Sequence, residues 1–367
     1  MVSKKNAQKT ILLTVLAVSV VSLTLMVLMV LMVPRVFAEK LATLPELNRP
    51  SYIEIRNEEV YVLDDTAVKV YDLKACRLLR QFGKKGNGPG ELMPNDEIPL
   101  QMQLVNGEVF LNSQTKFIHY SYTGDILKEK TTHFMCMQII PLGENYCISR
   151  VKFTPEMEIF FHVILYDSEL REIKTIYTDK PSPTVRSRGK IIVPPNFLYM
   201  KLSPSGQRLY VFNGRQEEFQ VLVFDREGNP LPTIRMEYQR PKLTDAFKQE
   251  FIEFFKTTPR YRENSDLLVQ RLEFPAFLPA IRNIQTEGNL LYVQTYKKKA
   301  TDSEFFIFDE NAQLMGQVFL PDDGCSIAKL NPDVSFTIMS DRYYYLVENL
   351  DKHEWELHTM SIPKIGK

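Results

Sequence analysis

The sequence predicts an all-β protein, a six-bladed β-propeller with one helical insertion. Two observations predict it. A short hairpin pattern recurs along the body, and the recurrences are evenly spaced once a single helical segment is set aside. Val70-Tyr71-Asp72 leads over a turn into Leu78-Leu79. His119-Tyr120-Ser121 leads through Thr123-Gly124-Asp125 into Ile126-Leu127. Leu165-Tyr166-Asp167 leads into Ile173, Val223-Phe224-Asp225 into Leu231, and Ile307-Phe308-Asp309 into Leu314-Met315. Each copy is an apolar-aromatic strand end, a turn of the Asx type and a second alternating strand. Leu346-Val347-Glu348, leading to Trp355, reads as a degenerate sixth copy.

Four of these repeats show two more strands upstream: Tyr52–Ile55 with Val60–Leu63, Leu100–Val105 with Glu108–Leu111, Leu198–Leu202 with Arg208–Phe212, and Ile281–Gln285 with Leu290–Thr295. Four short strands every ~49 residues, six times over, fit blades around a ring. One four-stranded sheet cannot bury both faces, but a ring of them buries each face against a neighbour. The last repeat has three clear strands, so its fourth is expected from residues 41–48. A β-sandwich, or two small β domains, is the competing arrangement.

The helical insertion covers residues 238–272. Phe247, Phe251, Phe254 and Phe255 fall at i, i+4, i+7 and i+8, one apolar stripe. Thr244 caps the start, Asp245 suits the N-terminal dipole and Pro259 stops continuation. The stripe is expected to pack against the propeller rim or mouth. A gate or a partner contact through these four rings is the functional alternative.

Residues 1–38 read as a cytoplasmic stub followed by a transmembrane anchor or signal peptide, and residues 39–367 as the propeller. Ile11–Val33 is an uncharged run of 23 residues, long enough as a helix to cross a ~30 Å hydrocarbon core. Lys4, Lys5 and Lys9 precede it, so the body should face away from the cytoplasm, in the periplasm or exterior. The run exceeds the ~7–15 apolar residues of a signal peptide, which favours a retained single-pass anchor. Val36-Phe37-Ala38 offers small residues for cleavage near Ala38, which would release the body as a secreted protein.

The chain has 45 basic and 45 acidic residues among 367. Five basic residues and one acidic residue lie in the first 40, leaving 40 against 44 on the body. A slightly acidic body excludes nucleic acid as a partner class, since phosphate binding needs a basic field. Basic clusters at Arg186-Ser187-Arg188-Gly189-Lys190 and Lys297-Lys298-Lys299 read as loop charge.

The four cysteines, Cys76, Cys136, Cys147 and Cys325, form no disulfide framework and no CxxC pair. A hairpin turn near Gly143-Glu144 pairs Cys147 with about residue 140, leaving Cys136 too far away for a bridge. Free buried thiols are expected. Of the five histidines none forms HxH, HxxxH or HExxH, and there is no Gly-x-Ser-x-Gly elbow. No catalytic set, metal site or cofactor is read from the sequence. His119 and His162 fall on strands of different blades.

The run Gln81-Phe82-Gly83-Lys84-Lys85-Gly86-Asn87-Gly88-Pro89-Gly90-Glu91-Leu92 resembles the loop of NHL-repeat-like, TolB-like six-bladed propellers, in particular an exported bacterial group. A second resemblance is Phe277-Leu278-Pro279-Ala280-Ile281 followed by Gly288-Asn289-Leu290-Leu291-Tyr292-Val293. The resemblance implies the propeller fold and export, and it carries no catalytic set. Gly83, Gly86, Gly88, Pro89, Gly90 and Glu91 are expected to form a structural crossing between blades. A phosphate loop would need a helix N-terminus after the glycines, and Pro89 and Pro94 stand there instead.

These readings predict an extracytoplasmic, membrane-anchored propeller that binds a protein or glycan partner without catalysis. A lyase or hydrolase working in the central channel is the alternative.

Overall fold

A computed structural model describes residues 38–94, 100–105, 107–181, 189–193, 198–203, 205–321 and 336–363. The chain divides into residues 1–38 and the body Glu39–Lys367. The apolar run Ile11–Val33 lies outside the described residues. Among those described, no helix is long and apolar enough to cross a membrane.

The body is a six-bladed propeller. Blades 1 to 5 are four-stranded antiparallel meanders whose strands A to D follow chain order. Blade 1 is Pro50–Arg56, Glu59–Asp64, Ala67–Asp72 and Leu78–Phe82. Blade 2 is Gln101–Val105, Glu108–Asn112, Lys116–Ser121 and Ile126–Thr131; blade 3 is Gln138–Leu142, Asn145–Phe153, Ile159–Tyr166 and Glu172–Thr178. Blade 4 is Leu198–Leu202, Arg208–Asn213, Phe219–Asp225 and Pro230–Met236, and blade 5 is Asn283–Glu287, Leu290–Lys299, Asp302–Phe308 and Leu314–Pro321. Blade 6 takes Phe336–Met339, Arg342–Asn349 and Glu354–Ser361 from the C-terminal end, and its outermost strand is Glu39–Leu44.

The six A strands follow one another around the axis, each beside the next, and the first touches the last. An N-terminal strand closes this ring as expected, but it spans Glu39–Leu44 and not 41–48, pairing Lys40 with His358 and Leu44 with Trp355. Lys40 adds an ion pair to Glu356 at 2.7 Å. That pair, with donors from Asn349 and His358, holds the Glu356 carboxyl at about 2. One detail of the repeat reading is corrected. Leu346-Val347-Glu348 lies on strand B of its blade, not on strand C. The shift arises because the N-terminal strand takes the D position, so the chain's last hairpin is B–C.

The turn chemistry holds the hairpins. Asp72 Oδ1 accepts from Lys74 N and Ala75 N, Asp167 Oδ1 from Glu169 N and Arg171 N, and Asp309 Oδ1 from Asn311 N and Gln313 N. These are Asx turns, a carboxylate standing in for a backbone acceptor. The cores lie between blades. Tyr61, Leu63, Val68 and Val70 of blade 1 pack on Met102, Leu104, Val109 and Leu111 of blade 2. Blades 3 and 4, and blades 4 and 5, meet the same way.

The insertion leaves blade 4 after Met236 and returns to blade 5 at Asn283. It holds helix α1 (Asp245–Thr257), the short α2 (Pro259–Arg262) and α3 (Ser265–Gln270). Thr244 caps α1 by accepting from Phe247 N at 3.3 Å, and α1 stops two residues before Pro259. Pro259 then opens α2 at its first turn, where a missing N–H costs nothing.

Candidate functional site

The antiparallel order sends all A–B and C–D turns to one face, here the turn face. The blade-to-blade connections, the glycine loop and the insertion lie on the opposite face.

The channel narrows to a cavity of about 140 Å³ lined by A strands of five blades. Lys201 of blade 4 reaches Glu54 of blade 1 at 3.4 Å, and both side chains are largely buried. Glu54 also accepts from Leu104 N at 2.9 Å, and the Lys201 ammonium lies 5.6 Å from the Tyr52 ring centroid. Burial alone would depress the Lys201 ammonium, but Tyr52 and Glu54 outweigh it and its pKa is raised. Burial raises the Tyr52 hydroxyl, with Lys201 opposing. Glu54 and Lys201 thus compensate each other across the axis within the cavity, which Arg56 and Glu287 also line.

Around the channel, amide side chains stitch neighbouring blades. Gln138 is bidentate to the backbone of Met200, donating to its carbonyl and accepting from its N–H at 2.7 Å each. Gln103 Nε2 donates to Ile139 O at 3.2 Å and Gln285 Nε2 to Phe336 O at 3.4 Å. A strands of different blades share no sheet, so such side chains supply the backbone partners a closed barrel would have.

Two open concavities lie on the turn face, flanking the hairpin Leu142-Gly143-Glu144-Asn145. The first, about 480 Å³, lies between blades 2 and 3 and includes Glu108, His119, Lys128, Glu144 and Tyr146. The second, about 500 Å³, lies between blades 3 and 4 and includes Ile173, Lys174, Arg226 and Glu227. In the first, His119 Nδ1 is hydrogen-bonded to Glu108 and its Nε2 is 3.2 Å from Tyr146 Oη. Burial depresses the His119 pKa, Glu108 opposes this, and Lys128 adds to it. Phe110 meets the imidazole edge-on at 4.8 Å.

The glycine loop ties blade 1 to blade 2. Gly83 has φ +87°, and a Cβ there would fall 2.7 Å from Thr66 O. Glu91 folds back over Gly86 and Gly88, accepting from Gly88 N at 2.9 Å, and Pro89 carries the chain between them. Gly90 N donates to Glu129 at 2.6 Å, and its carbonyl accepts from Tyr120 Oη at 3.1 Å. Gly83→Ala is expected to destabilise the protein by about 1–3 kcal/mol, from a left-handed backbone plus a backbone clash. Urea denaturation checks it, and an unchanged midpoint would refute the account.

The phenylalanine stripe faces inward. Phe247, Phe251 and Phe255 are buried and Phe254 is half-buried. Phe247 and Phe251 pack with Val193 and Leu278, a core of their own backed by Ile191, Leu272 and Phe274. Strand Leu272–Glu273 pairs in parallel with Ile191–Ile192, so the insertion is stapled to the connection between blades 3 and 4. In this arrangement three of the four rings are packing residues, and Phe254 alone has surface to offer.

Cys147 pairs with Ile140, as the turn required, and Cys76, Cys136 and Cys147 are free thiols. Burial pushes the Cys136 thiol up to about 12. Cys325 and Arg186–Arg188 lie outside the described residues. Lys297–Lys299 are corrected from a loop to the end of a blade 5 strand, where Lys297 pairs with Glu304 at 3.2 Å. The ladder between Leu290–Lys299 and Asp302–Phe308 continues past a register shift and captures them. His119 and His162 have separate partners; His162 Nδ1 is 2.9 Å from Thr178 Oγ1. Among the described residues no cluster of acidic, histidine or cysteine side chains has a metal-binding arrangement.

Sequence reasoning missed Glu54, Lys201, Glu108 and Tyr146. Strand alternation placed each on a face, but no spacing signal links Glu54 to Lys201 across 147 positions.

The fold defines a six-bladed β-propeller. Residues 45–193 match a family model described as DUF5128, 6-bladed beta-propeller. A solved structure of a DUF4221 family member from Bacteroides vulgatus is similar at 12% identity and a TM-score of 0.51, covering 89% of this chain and 98% of that one. The WD40 domain of Pan2 from Neurospora crassa aligns at 11% identity and a TM-score of 0.42, covering 89% of this chain and 96% of that one. Kluyveromyces lactis Hsv2 aligns at 10% identity and 0.38, covering 86% and 100%. The likeness to the DUF4221 member, at 12% identity, speaks to the fold alone. The curated proteins contain no match.

Proposed function

We propose that the body is a non-catalytic binding module for a protein or glycan partner, held outside the cytoplasm by residues 11–33. The observation that carries this reading is where the open space lies. The channel is narrow and its Glu54–Lys201 charges are paired internally, whereas the turn face opens two adjoining grooves of ligand-binding size. A propeller presents such turns on a rigid ring, and the function resides in the loops grafted on it. The basic residues before the apolar run, and the exported group that the glycine loop resembles, support the placement.

The enzyme reading requires several blades to offer unpaired acid–base groups to the channel, and the described lining favours it less. Crosslinking in intact cells with an amine-reactive reagent tests the binding reading. Partner crosslinks are expected at Lys128 and Lys174 on the turn face. Partner crosslinks confined to the insertion face, as at Lys248 and Lys256, would overturn it. An alkaline wash of membranes is expected to leave the protein in the pellet, and release to the supernatant would refute the anchor.

A further inference from the structure

Blades 1 and 2 solve the same seam differently. Glu59 and Glu108 each open strand B of their blade, and Leu78-Leu79-Arg80 and Ile126-Leu127-Lys128 each open strand D. The registers agree, since Arg80 pairs with Val70 and Lys128 with His119. In the seam between blades 1 and 2, Arg80 clamps Glu59 with two bonds of 2.7 and 2.6 Å. Its Nε donates to Tyr122 O at 2.7 Å, and its guanidinium lies 5.7 Å from the Tyr61 ring centroid. A guanidinium belonging to the chain therefore fills that seam.

In the seam between blades 2 and 3 the clamp is missing. His119 stands where blade 1 has Val70, and it takes one oxygen of Glu108. Lys128 turns away to lie 5.2 Å from the Tyr146 ring centroid. Among the described ion pairs Glu108 has no partner but His119. Ser168 O, the counterpart of Tyr122 O by its turn hydrogen bonds, is met by Lys130 from farther along strand D. What remains at the place of the Arg80 guanidinium is the 480 Å³ groove, with Leu127 and Pro141 as apolar wall and Glu144 as a second carboxylate.

We infer that this groove receives an arginine side chain of a protein partner, its guanidinium taking against Glu108 the place that Arg80 takes against Glu59. The inference rests on the binding reading above and names the partner's chemistry. Two carboxylates face one ammonium, so the groove retains a net negative charge for a cation. The wall of Leu127 and Pro141 suits the three-carbon stem, which arginine buries while its head stays polar. A planar fork matches a carboxylate in two bonds, which an ammonium does not.

The test uses the full chain in detergent, with labelled leucine methyl groups and Nα-acetyl-arginine amide as probe. The Leu127 methyl signals are expected to shift saturably at millimolar probe. The neutral isostere Nα-acetyl-citrulline amide should bind at least about tenfold more weakly, a loss of one charge-assisted pair. Glu108→Gln should cost a similar factor. Glu144→Gln, which leaves the Glu108–His119 bond in place, should cost a smaller one. Equal binding of these two probes, tighter binding of Nα-acetyl-lysine amide as a third probe, or unchanged affinity in Glu108→Gln would overturn the inference. Partner crosslinks on the turn face in cells, with no arginine-probe binding, would overturn this inference alone and leave the binding reading standing.

Discussion

Glu304→Ala is expected to cost about 3–5 kcal/mol of stability, since it removes a fully buried carboxylate and the charge-assisted hydrogen bonds that converge on it. The Glu304 side chain is fully buried in blade 5. Its Oε2 accepts from Tyr238 Oη at 2.9 Å and Thr295 Oγ1 at 2.8 Å. Its Oε1 accepts from Gln317 Nε2 at 2.5 Å and from Lys297 Nζ at 3.2 Å. Truncation leaves the buried Thr295 hydroxyl and the half-buried Tyr238 hydroxyl without this acceptor, and a buried orphan is costly, whereas Gln317 and Lys297 can turn to water. Tyr238 begins the connection that carries the insertion, so the network also joins that segment to blade 5. Glu304→Gln should lose less, about 1–3 kcal/mol, because its carbonyl still accepts while its amide faces the Gln317 donor. The urea midpoint should fall with the slope unchanged. A midpoint equal to wild type for Glu304→Ala would show that the network contributes nothing net.

Phe251→Ala is expected to act locally and nearly as strongly. Removing a ring that is 1% exposed should cost about 3–5 kcal/mol at its site. The cluster it belongs to, with Phe247, Val193 and Leu278, is separate from the cores between blades. The loss should therefore appear as opening of the insertion, not of the ring. Amide exchange over residues 245–270 should accelerate by about two to three orders of magnitude, while the strands of blades 1 and 2 keep their protection. Phe254→Ala, at a half-buried position, should change exchange far less. Uniform acceleration through all blades would mean that the insertion is part of the propeller's own cooperative unit.

The two results differ in how far the sequence announces them. The stripe Phe247, Phe251, Phe254 and Phe255 is a local pattern with helical period, and Thr244 and Pro259 mark its ends. A helix with one apolar face follows from 3.6 residues per turn, and both the helix and its inward face are present in the structure. What the stripe packs against was not legible. It meets residues 191–193 and 272–278 and, on the propeller itself, Tyr296 of blade 5, none of which carries a pattern that assigns it to the stripe. Glu304 is the reverse case. Nothing in the run Asp302–Phe308 singles out Glu304, and only the neighbouring connection and strand make it a buried hub.

The same division runs through the candidate site. The period of about 49, the Asx turns at Asp72, Asp167 and Asp309, and the pairing of Cys147 with Ile140 were all legible, because they depend on neighbours along one chain segment. The missing fourth strand of the last repeat could also be assigned to the N-terminal end, by counting. The Leu346-Val347-Glu348 copy went astray for the same reason that the ring closes. Once Glu39–Leu44 supplies strand D, the last C-terminal hairpin is one strand earlier than its look-alikes.

By itself, then, the sequence determined the strands, their repeat, the closing strand and the helical insertion with its apolar face. These are set by periodicity and turn chemistry, which act over a few residues. Only the tertiary structure decided that Glu54 faces Lys201 across the channel, that Arg80 fills one seam, and that the next is left open beside Glu108 and His119. The physical reason is ring closure. Strand alternation fixes which face a side chain takes, but the partner it meets there comes from another blade, and the angle between blades, not the distance along the chain, brings the two together.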